Sequence, residues 1–594
     1  MSPQDHQEDR NSTTHRIVIV GGGFAAVAAA RGLAGKLPAG WEVVLYSEEN
    51  HFVFTPLLTE VVGASINPLH CVWPLREMVS GISYRTVPVV GLDLDAREVI
   101  YEERDGELRR DRWDHLVLTP GLAAYLDILP GLATHGWPLK VLGDALVLRN
   151  RLIGQLERAE VERDSAKRRR LLSFAVIGGG FTGAEVAGSM ADLLKEASRY
   201  YERVDPGEIS VHVVEMAPHI LASLPESLST FAERKMRQRG IDIRCGVKVE
   251  YVSGEGLHLE GGELIRATTV VAAVGNKMQP LLEDSDLPRE RNRLEVTPEM
   301  RVEGFSDIWA LGDCAAVPNA REDGEISPPT AQYASRQGKL LAKNLRAAIA
   351  GREPRPFDYR PQGMFAAIGH RNAVGEVFGW KLSGFLAWFL WHGVYWGKMP
   401  TFTRKVQIAL DWAINYLFRP DIVEIATLTT QRRGRVREEE FLRLAGEAPE
   451  LKELPVRDLM SRPVLTLEPE VRLGDAIRRC RKARTQALPV VDGEGKMVGI
   501  CTRSDLYRAI RSLRPLDTPV RDLMSRPVVT LRADSPLEEA VHAARDNDVR
   551  RLVVVEDGAP DRPVGMLSPF DVLGWLSRDR TPEEVAERLG VPLR

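Results

Sequence analysis

Two glycine turns constrain this chain more than any other feature. Gly21-Gly22-Gly23 and Gly178-Gly179-Gly180 each follow an apolar run of strand length and precede a helical stretch. Strand, tight turn and helix in that order open a βαβ unit, so two of them predict an α/β protein with two parallel sheets. In the first, Arg16-Ile17-Val18-Ile19-Val20 is the strand, Gly21 permits the turn, and Gly23 lets backbone approach a pyrophosphate at the helix N-terminus. Phe24 and Ala26 begin the helix, Ala26 standing at the third glycine position. The strand that follows ends at Ser47-Glu48, and either residue occupies the place of an acid that would hold ribose hydroxyls.

The second turn is complete. Gly178, Gly180 and Gly183 fill all three glycine positions around Phe181, and the next strand stops on Glu215. A carboxylate there suits a ribose diol and repels the extra phosphate of NADPH. No arginine follows in Met216-Ala217-Pro218-His219, so NADH is the expected nucleotide. Two later segments point to a flavin at the first turn. One is the buried strand ending at Thr119-Pro120-Gly121; the other is Gly312-Asp313, read as strand, glycine, aspartate and a new helix. Asp313 can accept a hydrogen bond from a ribityl chain, and its alternative role is a helix cap. With Gly275, these residues complete the expected FAD and NADH contacts. The order of motifs implies an NADH domain inserted into an FAD domain, so that a hydride can pass between two rings at their interface.

Composition narrows the rest. At 594 residues the chain is long enough for several domains, at roughly 150 residues each. Its net charge of -4 gives no electrostatic ground for binding nucleic acid. The five cysteines form no CxxC pair, so neither a metal site nor a redox disulfide is expected. Residues 1–15 lack the apolar core of a secretory signal and read as a disordered tail. The aromatic stretch through Trp388, Trp391, Tyr395 and Trp396 is too short to cross a bilayer but suits its interface. From Phe402 to Phe418 a second apolar stripe (Phe402, Val406, Ala409, Leu410, Ala413, Leu417) recurs at helical spacing opposite Arg404, Lys405, Asp411 and Asn415.

Several segments between about residues 16 and 425 resemble the type II NADH:quinone oxidoreductases. Phe54-Thr55-Pro56-Leu57-Leu58 is similar to a signature near the flavin, residues 183–188 to a Gly-x-Glu-x-Ala-Gly helix, and Pro328-Pro329-Thr330-Ala331-Gln332-Tyr333-Ala334 to the floor of a quinone site. The resemblance implies catalytic roles for Glu185 and Gln332, a membrane quinone as acceptor, and peripheral attachment to the inner, cytoplasmic face of the cell membrane. The chain departs from the family where a second glutamine is common: Arg336 stands there, a donor that cannot exchange hydrogen-bond roles as an amide can. Gln332 and Glu185 remain credible in those roles, the alternative role of Glu185 being to cap or brace a helix. The competing readings are a soluble NADH-dependent flavin reductase and a nucleotide sensor with a degenerate flavin domain.

Near its end the chain repeats itself: Val456-Arg457-Asp458-Leu459-Met460-Ser461-Arg462-Pro463 returns at residues 520–527. Each copy closes on a turn, Thr502 to Asp505 and Ser568 to Asp571, similar to those of a cystathionine-beta-synthase-type (CBS) domain pair. That resemblance implies adenine-nucleotide binding, with Thr502 and Ser568 on phosphate and Asp505 and Asp571 on ribose, and a homodimer. The same spacing is also a helix capping box. The expected layout is therefore two Rossmann-like domains of glutathione-reductase type, interfacial helices and a CBS pair. Its boundaries are 1–15 for the tail, 16–140 and 298–380 for the two segments of the FAD domain, and 141–297 for the NADH domain between them. The helices follow at 381–430, a linker at 431–454, the repeats at 455–515 and 516–580, and a second tail at 581–594.

Overall fold

The computed structural model describes residues 14–103, 107–418, 421–424, 452–483, 485, 487–503, 505, 506, 509, 515–526, 528–546, 551–556, 558–568, 571, 572 and 575. The expected tails before residue 14 and after 580, and the linker from 431 to 451, lie outside them. The chain divides into two compact units, residues 1–427 and 428–594.

Ten strands of the first unit build two parallel sheets. In chain order they are β1 (His15–Val20), β2 (Trp41–Ser47), β3 (Ser83–Thr86), β4 (His115–Leu118), β5 (Gly136–Pro138), β6 (Ser173–Ile177), β7 (Ser210–Glu215), β8 (Ile241–Cys245), β9 (Thr269–Ala272) and β10 (Ile308–Ala310). The first sheet has the order β10-β4-β1-β2-β3 and the second β5-β9-β6-β7-β8. Every neighbouring pair is parallel. Strand β10, beyond the whole second sheet in the chain, returns to pair with β4 of the first. The second sheet begins earlier than residue 141, because Gly136–Pro138 already pairs with β9. Strands buried on both faces explain the unbroken apolar runs: Ile17, Val18 and Ile19 are fully buried, as are Phe174, Ala175 and Val176.

Six helices matter to the site: α1 (Phe24–Leu33), α2 (Leu58–Val62), α3 (Phe181–Ala197), α4 (Ala331–Ile349), α5 (Gly384–Lys398) and α6 (Phe402–Leu417). Small residues let α4 lie directly on α1: a Cβ at Gly32 would stand 2.5 Å from Ala342 Cβ, and one at Gly338 2.8 Å from Ala28 Cβ. A three-stranded antiparallel sheet (Gly363–Ala367, Ala373–Val377, Trp380–Ser383) leads into α5.

Helix α6 carries its polarity outward-in. Phe402, Val406, Leu410, Ile414 and Leu417 are exposed, Phe402 by 76% and Leu417 by 73%, whereas Arg404, Lys405, Gln407, Asp411 and Asn415 are half-buried. Asp411 accepts hydrogen bonds from His70 (2.5 Å) and from the Asn67 N–H (3.0 Å), and Lys405 donates to the Gly397 carbonyl. Phe385, Leu386 and Phe389 of α5 and Phe378 and Trp380 of the preceding hairpin are exposed as well. No described helix is long and apolar enough to cross a membrane.

In the second unit each repeat's opening segment packs on the other repeat. Val456, Leu459 and Met460 join Leu531, Leu537, Leu552, Val554 and Leu567, while Val520 joins Leu467, Leu473, Leu488, Val490 and Cys501. The backbone follows the same exchange: Val456 N–H donates to Ser535, Ser461 N–H to Met566, Val520 N–H to Val471 and Ser525 N–H to Ile500.

Candidate functional site

The first glycine turn works as its sequence demands. Gly21 has φ of +117°, and a Cβ there would collide with the Thr119 carbonyl, which β4 brings beside it. Thr119 is locked in turn, its N–H and hydroxyl both donating to the Val20 carbonyl. Gly23 has open space where its Cβ would be, and α1 begins with no capping side chain and no acid in its first turn. The free N–H groups at this helix end, beside that open space, suit an anion. Phe24 packs edge-on against Phe52 and Phe54, with centroids 4.7 and 5.6 Å away. Strand β2 ends at buried Ser47, under Gly22, and Glu48 stands exposed one residue beyond it.

The Gly312-Asp313 turn joins this site from the far end of the chain. It is followed by one 3-10 turn (Gly312–Cys314) and a short strand (Ala315–Ala316), not by the new helix its sequence suggested. Pairing of Ala315–Ala316 with Arg293–Glu295 pulls the chain into a sheet instead. Burial pushes the Asp313 carboxyl above the usual carboxylate range, and Lys140 and Arg293 counter that effect. Among the described residues none hydrogen-bonds its side chain, so a half-buried acceptor flanked by two cations is left for a ligand. Gln337, 2% exposed, holds the turn in place by accepting the Gly312 N–H at 2.8 Å. Lys140, Arg293 and Gln337 were not anticipated from the sequence. Gly121 (φ +71°) and Gly275 (φ +73°) sit in turns, the latter against Tyr125 and Ile128.

At the second turn Gly183 matters most: a Cβ there would overlap the Gly178 carbonyl, so only glycine lets α3 press against the turn. Gly180, like Gly23, opens on free space, and α3 starts without a capping side chain. Phe181 is half-buried at the first helical position. Glu215 closes β7 and accepts from Gly179 N–H at 2.5 Å and Ala217 N–H at 2.7 Å. It thus fixes the turn, and a carboxylate with about four acceptor positions keeps room for a diol.

The same helix α3 carries Glu185. Gly188, one turn on, lets the backbone of Ile368–Gly369 come close, which brings the Ala367 N–H to Glu185 Oε1 at 3.1 Å. Burial, with a smaller contribution from Glu60 of α2, pushes the Glu185 carboxyl up to about 8. Glu60 is itself pushed up to about 7 by burial, against partial relief from Ser65 and Trp412. Both residues are half-buried. The indoles of Trp391 and Trp412 lie near enough to Glu185 and Glu60 to favour the charged forms, yet neither buried Nε1 closes a hydrogen bond of ordinary geometry. Tyr395 joins the group against Trp391 and Phe54, with centroids 4.7 and 6.0 Å away.

Gln332 is half-buried in the first turn of α4, whose start is capped by Thr330. Arg336 is exposed, its guanidinium 5.4 Å from the centre of the Tyr359 ring, and near enough to Lys398 to add to the lowering that burial begins there. The cysteines take no part: Cys314 is fully buried and its thiol pushed up to about 12, and all five are unpaired. Among the described residues no cluster of His, Cys, Asp or Glu could hold a metal ion.

In the second unit Thr502 and Ser568 bond within their own turns. The Thr502 N–H and hydroxyl donate to Asp505 at 2.8 and 2.6 Å, and those of Ser568 to Asp571 at 2.7 and 2.6 Å. Asp505 also accepts from Ser525 at 2.9 Å.

Comparison with known proteins agrees along the chain. Residues 15–338 match the pyridine nucleotide-disulphide oxidoreductase family, 362–421 the NDH2 C-terminal domain, and 456–512 and 520–578 the CBS domain. The type II NADH:quinone oxidoreductase Ndh of Mycobacterium tuberculosis is 28% identical over 75% of this chain and 98% of its own. The demethylphylloquinone reductase NdbB of Synechocystis is 30% identical over 67% and 95%. Among solved structures, NDH2 of Plasmodium falciparum in complex with NADH superposes with a TM-score of 0.65 at 18% identity, covering 69% of this chain and all of that one.

Proposed function

We propose, for a chain that belongs to the pyridine nucleotide-disulphide oxidoreductases and within them to the type II NADH:quinone oxidoreductases, that it oxidises NADH and reduces a membrane quinone without pumping protons. FAD, when bound, supplies the two-electron relay between the two substrates. The first glycine turn, with Gly21, Gly23, Phe24, Ala26, Glu48, Thr119, Gly121, Gly312 and Asp313, would hold it. The open space at Gly23 and the unpartnered Asp313 fit that role. The second turn, with Gly178, Gly180, Phe181, Gly183, Glu215 and Gly275, would hold NADH, its uncapped helix end facing the pyrophosphate.

The observation that carries the reading is the position of Glu185. It stands on the helix that opens at the NADH turn, and its carboxyl meets Trp391 of the helix with the exposed apolar face. One side chain therefore links the nucleotide end of the molecule to the face on which a lipid-soluble acceptor would arrive. Gln332 and Arg336 would flank that acceptor, Gln332 as a two-way hydrogen-bond partner and Arg336 as a donor to its carbonyl oxygen.

The apolar faces of α5 and α6 suit the membrane interface. Each large apolar side chain left in water forgoes about 1.5–3 kcal/mol of burial, and a lipid layer would restore it for several at once. We therefore place the protein peripherally on the inner face of the cell membrane. The CBS pair is read as an adenine-nucleotide sensor and a dimer contact. Its carboxylates would have to share their present hydroxyl partners with a ribose, since both turns are already satisfied as capping boxes.

One anaerobic titration tests the core of this. NADH should bleach the flavin of the purified protein, and a short-chain quinone should restore its colour. Bleaching that only a protein acceptor reverses would favour a soluble reductase instead. Co-sedimentation with lipid vesicles should fall on Leu410→Asp with Phe389→Asp; retained binding would remove the helices from the membrane contact.

A further inference from the structure

Two acids and two tryptophans meet where the nucleotide helix α3 faces the apolar-faced helices. Glu185 comes from α3, Glu60 from the short α2 packed against it, Trp391 from α5 and Trp412 from α6. Each acid is paired with one indole, and the indoles lie 6.5 Å apart between ring centres. Both indole nitrogens are buried without a closed hydrogen bond, and Trp391 is fully buried. Indole N–H groups close to carboxyls, yet not spent on them, leave the carboxyls free to change protonation state.

The other titratable groups around the pair do not neutralise it. His392 of α5 lies 4.3 Å from the Trp412 ring, but burial pushes its imidazole down to about 4, so it is neutral. Tyr395 of α5 is pushed above the usual phenol range by burial and by Glu185. On α6, Asp411 is occupied by His70. No cation acts on either glutamate among the described residues. Like charges in one low-dielectric site cannot both ionise easily, so such a pair tends to keep a shared proton.

We propose that Glu60 is a positioning residue for the proton consumed in quinone reduction: its carboxyl, on the helix packed against the one that carries Glu185, keeps Glu185 protonated until the quinone takes that proton. The inference rests on the quinone reductase reading above. The balance is simple. A quinone needs two electrons and two protons to become a quinol. NADH supplies both electrons and one proton equivalent as hydride, and the second proton leaves a Glu185 oxygen as the quinone O–H bond forms. Water then returns a proton to the pair, so the sum is NADH, one proton and quinone giving NAD and quinol.

The test uses the FAD-loaded, full-length protein with a short-chain benzoquinone, and ferricyanide as an acceptor that takes electrons without protons. The readout is the ratio of quinone to ferricyanide turnover against pH, which cancels any loss of cofactor or NADH binding. In the wild type the ratio should fall as pH rises through the region near 8, where Glu185 loses its proton. Glu60→Gln removes the negative neighbour, so the fall should move by about one pH unit toward acid, and Glu60→Asp should restore it. An unmoved fall in Glu60→Gln overturns the inference alone; a wild type that bleaches with NADH but reduces no quinone overturns the functional reading beneath it. Should Glu60→Gln fail to fold, infrared difference spectra of the wild type remain decisive. A protonated-carboxyl C=O band should be lost transiently as the NADH-reduced protein meets quinone and return as water restores the proton; a band that stays unchanged throughout overturns the proposal.

Discussion

The two glycine turns share a backbone and differ in what completes them. The turn at Gly178 is self-contained: Gly183, five residues on, seats the helix, and Glu215, at the end of the adjacent strand, ties down Gly179. The turn at Gly21 ends its second strand on buried Ser47, with exposed Glu48 beyond, and takes its acid from Asp313, its cations from Lys140 and Arg293, and its brace from Gln337. One site is built by local sequence, the other by the return of β10 to the first sheet. The difference teaches that a fingerprint with an incomplete local acid can be finished by topology.

Substitutions can break that contrast. Gly183→Ala should do most, because its Cβ has no space beside Gly178. Overpacking of about 1–3 kcal/mol corresponds to a loss of about 5- to 150-fold in NADH affinity, measured by flavin bleaching, with flavin content unchanged. Gly21→Ala should invert the pattern, yielding protein purified with little flavin; equal flavin loss in both variants would mean that the two sites are not separable. Glu215→Gln comes next, raising KM for NADH by about 10-fold and narrowing the preference over NADPH in steady-state assays.

Gln337→Leu should cost about 1–3 kcal/mol by leaving the Gly312 N–H unpaired in the interior, read as a lower Tm together with faster flavin release. A variant that loses Tm but keeps its flavin would show that the brace serves the fold and not the site. The smallest effect is on the pH dependence of stability. Glu60 and Glu185 hold protons in the native state that the unfolded chain releases above the ordinary value of 4.5. The native form binds more protons between that value and about 7 to 8, so stability should fall as pH rises through this window. Glu185→Gln should flatten the slope in denaturant melts at a series of pH values.

What the sequence made legible follows the same division. Both strand-turn-helix motifs could be read because every residue they need lies within a few positions. The apolar stripe of α6 could be read as a stripe, but only the structure tells that its polar side docks and its apolar side is bare. Lys140, Arg293 and Gln337 could not be read at all, since nothing local ties them to Asp313. Glu60 did leave a trace: it is an acid inside Leu57-Leu58-Thr59-Glu60-Val61-Val62, an apolar run with no reason to hold one unless it is used. The helix expected after Asp313 failed because sheet pairing at Ala315–Ala316 outcompeted local preference.

The exchange of opening segments between the two repeats also bears on how that region of the chain can be taken apart. Deleting the second copy strips Val520 from the core of the first, and deleting the first strips Val456 and Leu459 from the core of the second. The duplicated halves should therefore melt as a single cooperative transition in calorimetry, and a half-length truncation should yield an open hydrophobic core instead of a smaller domain.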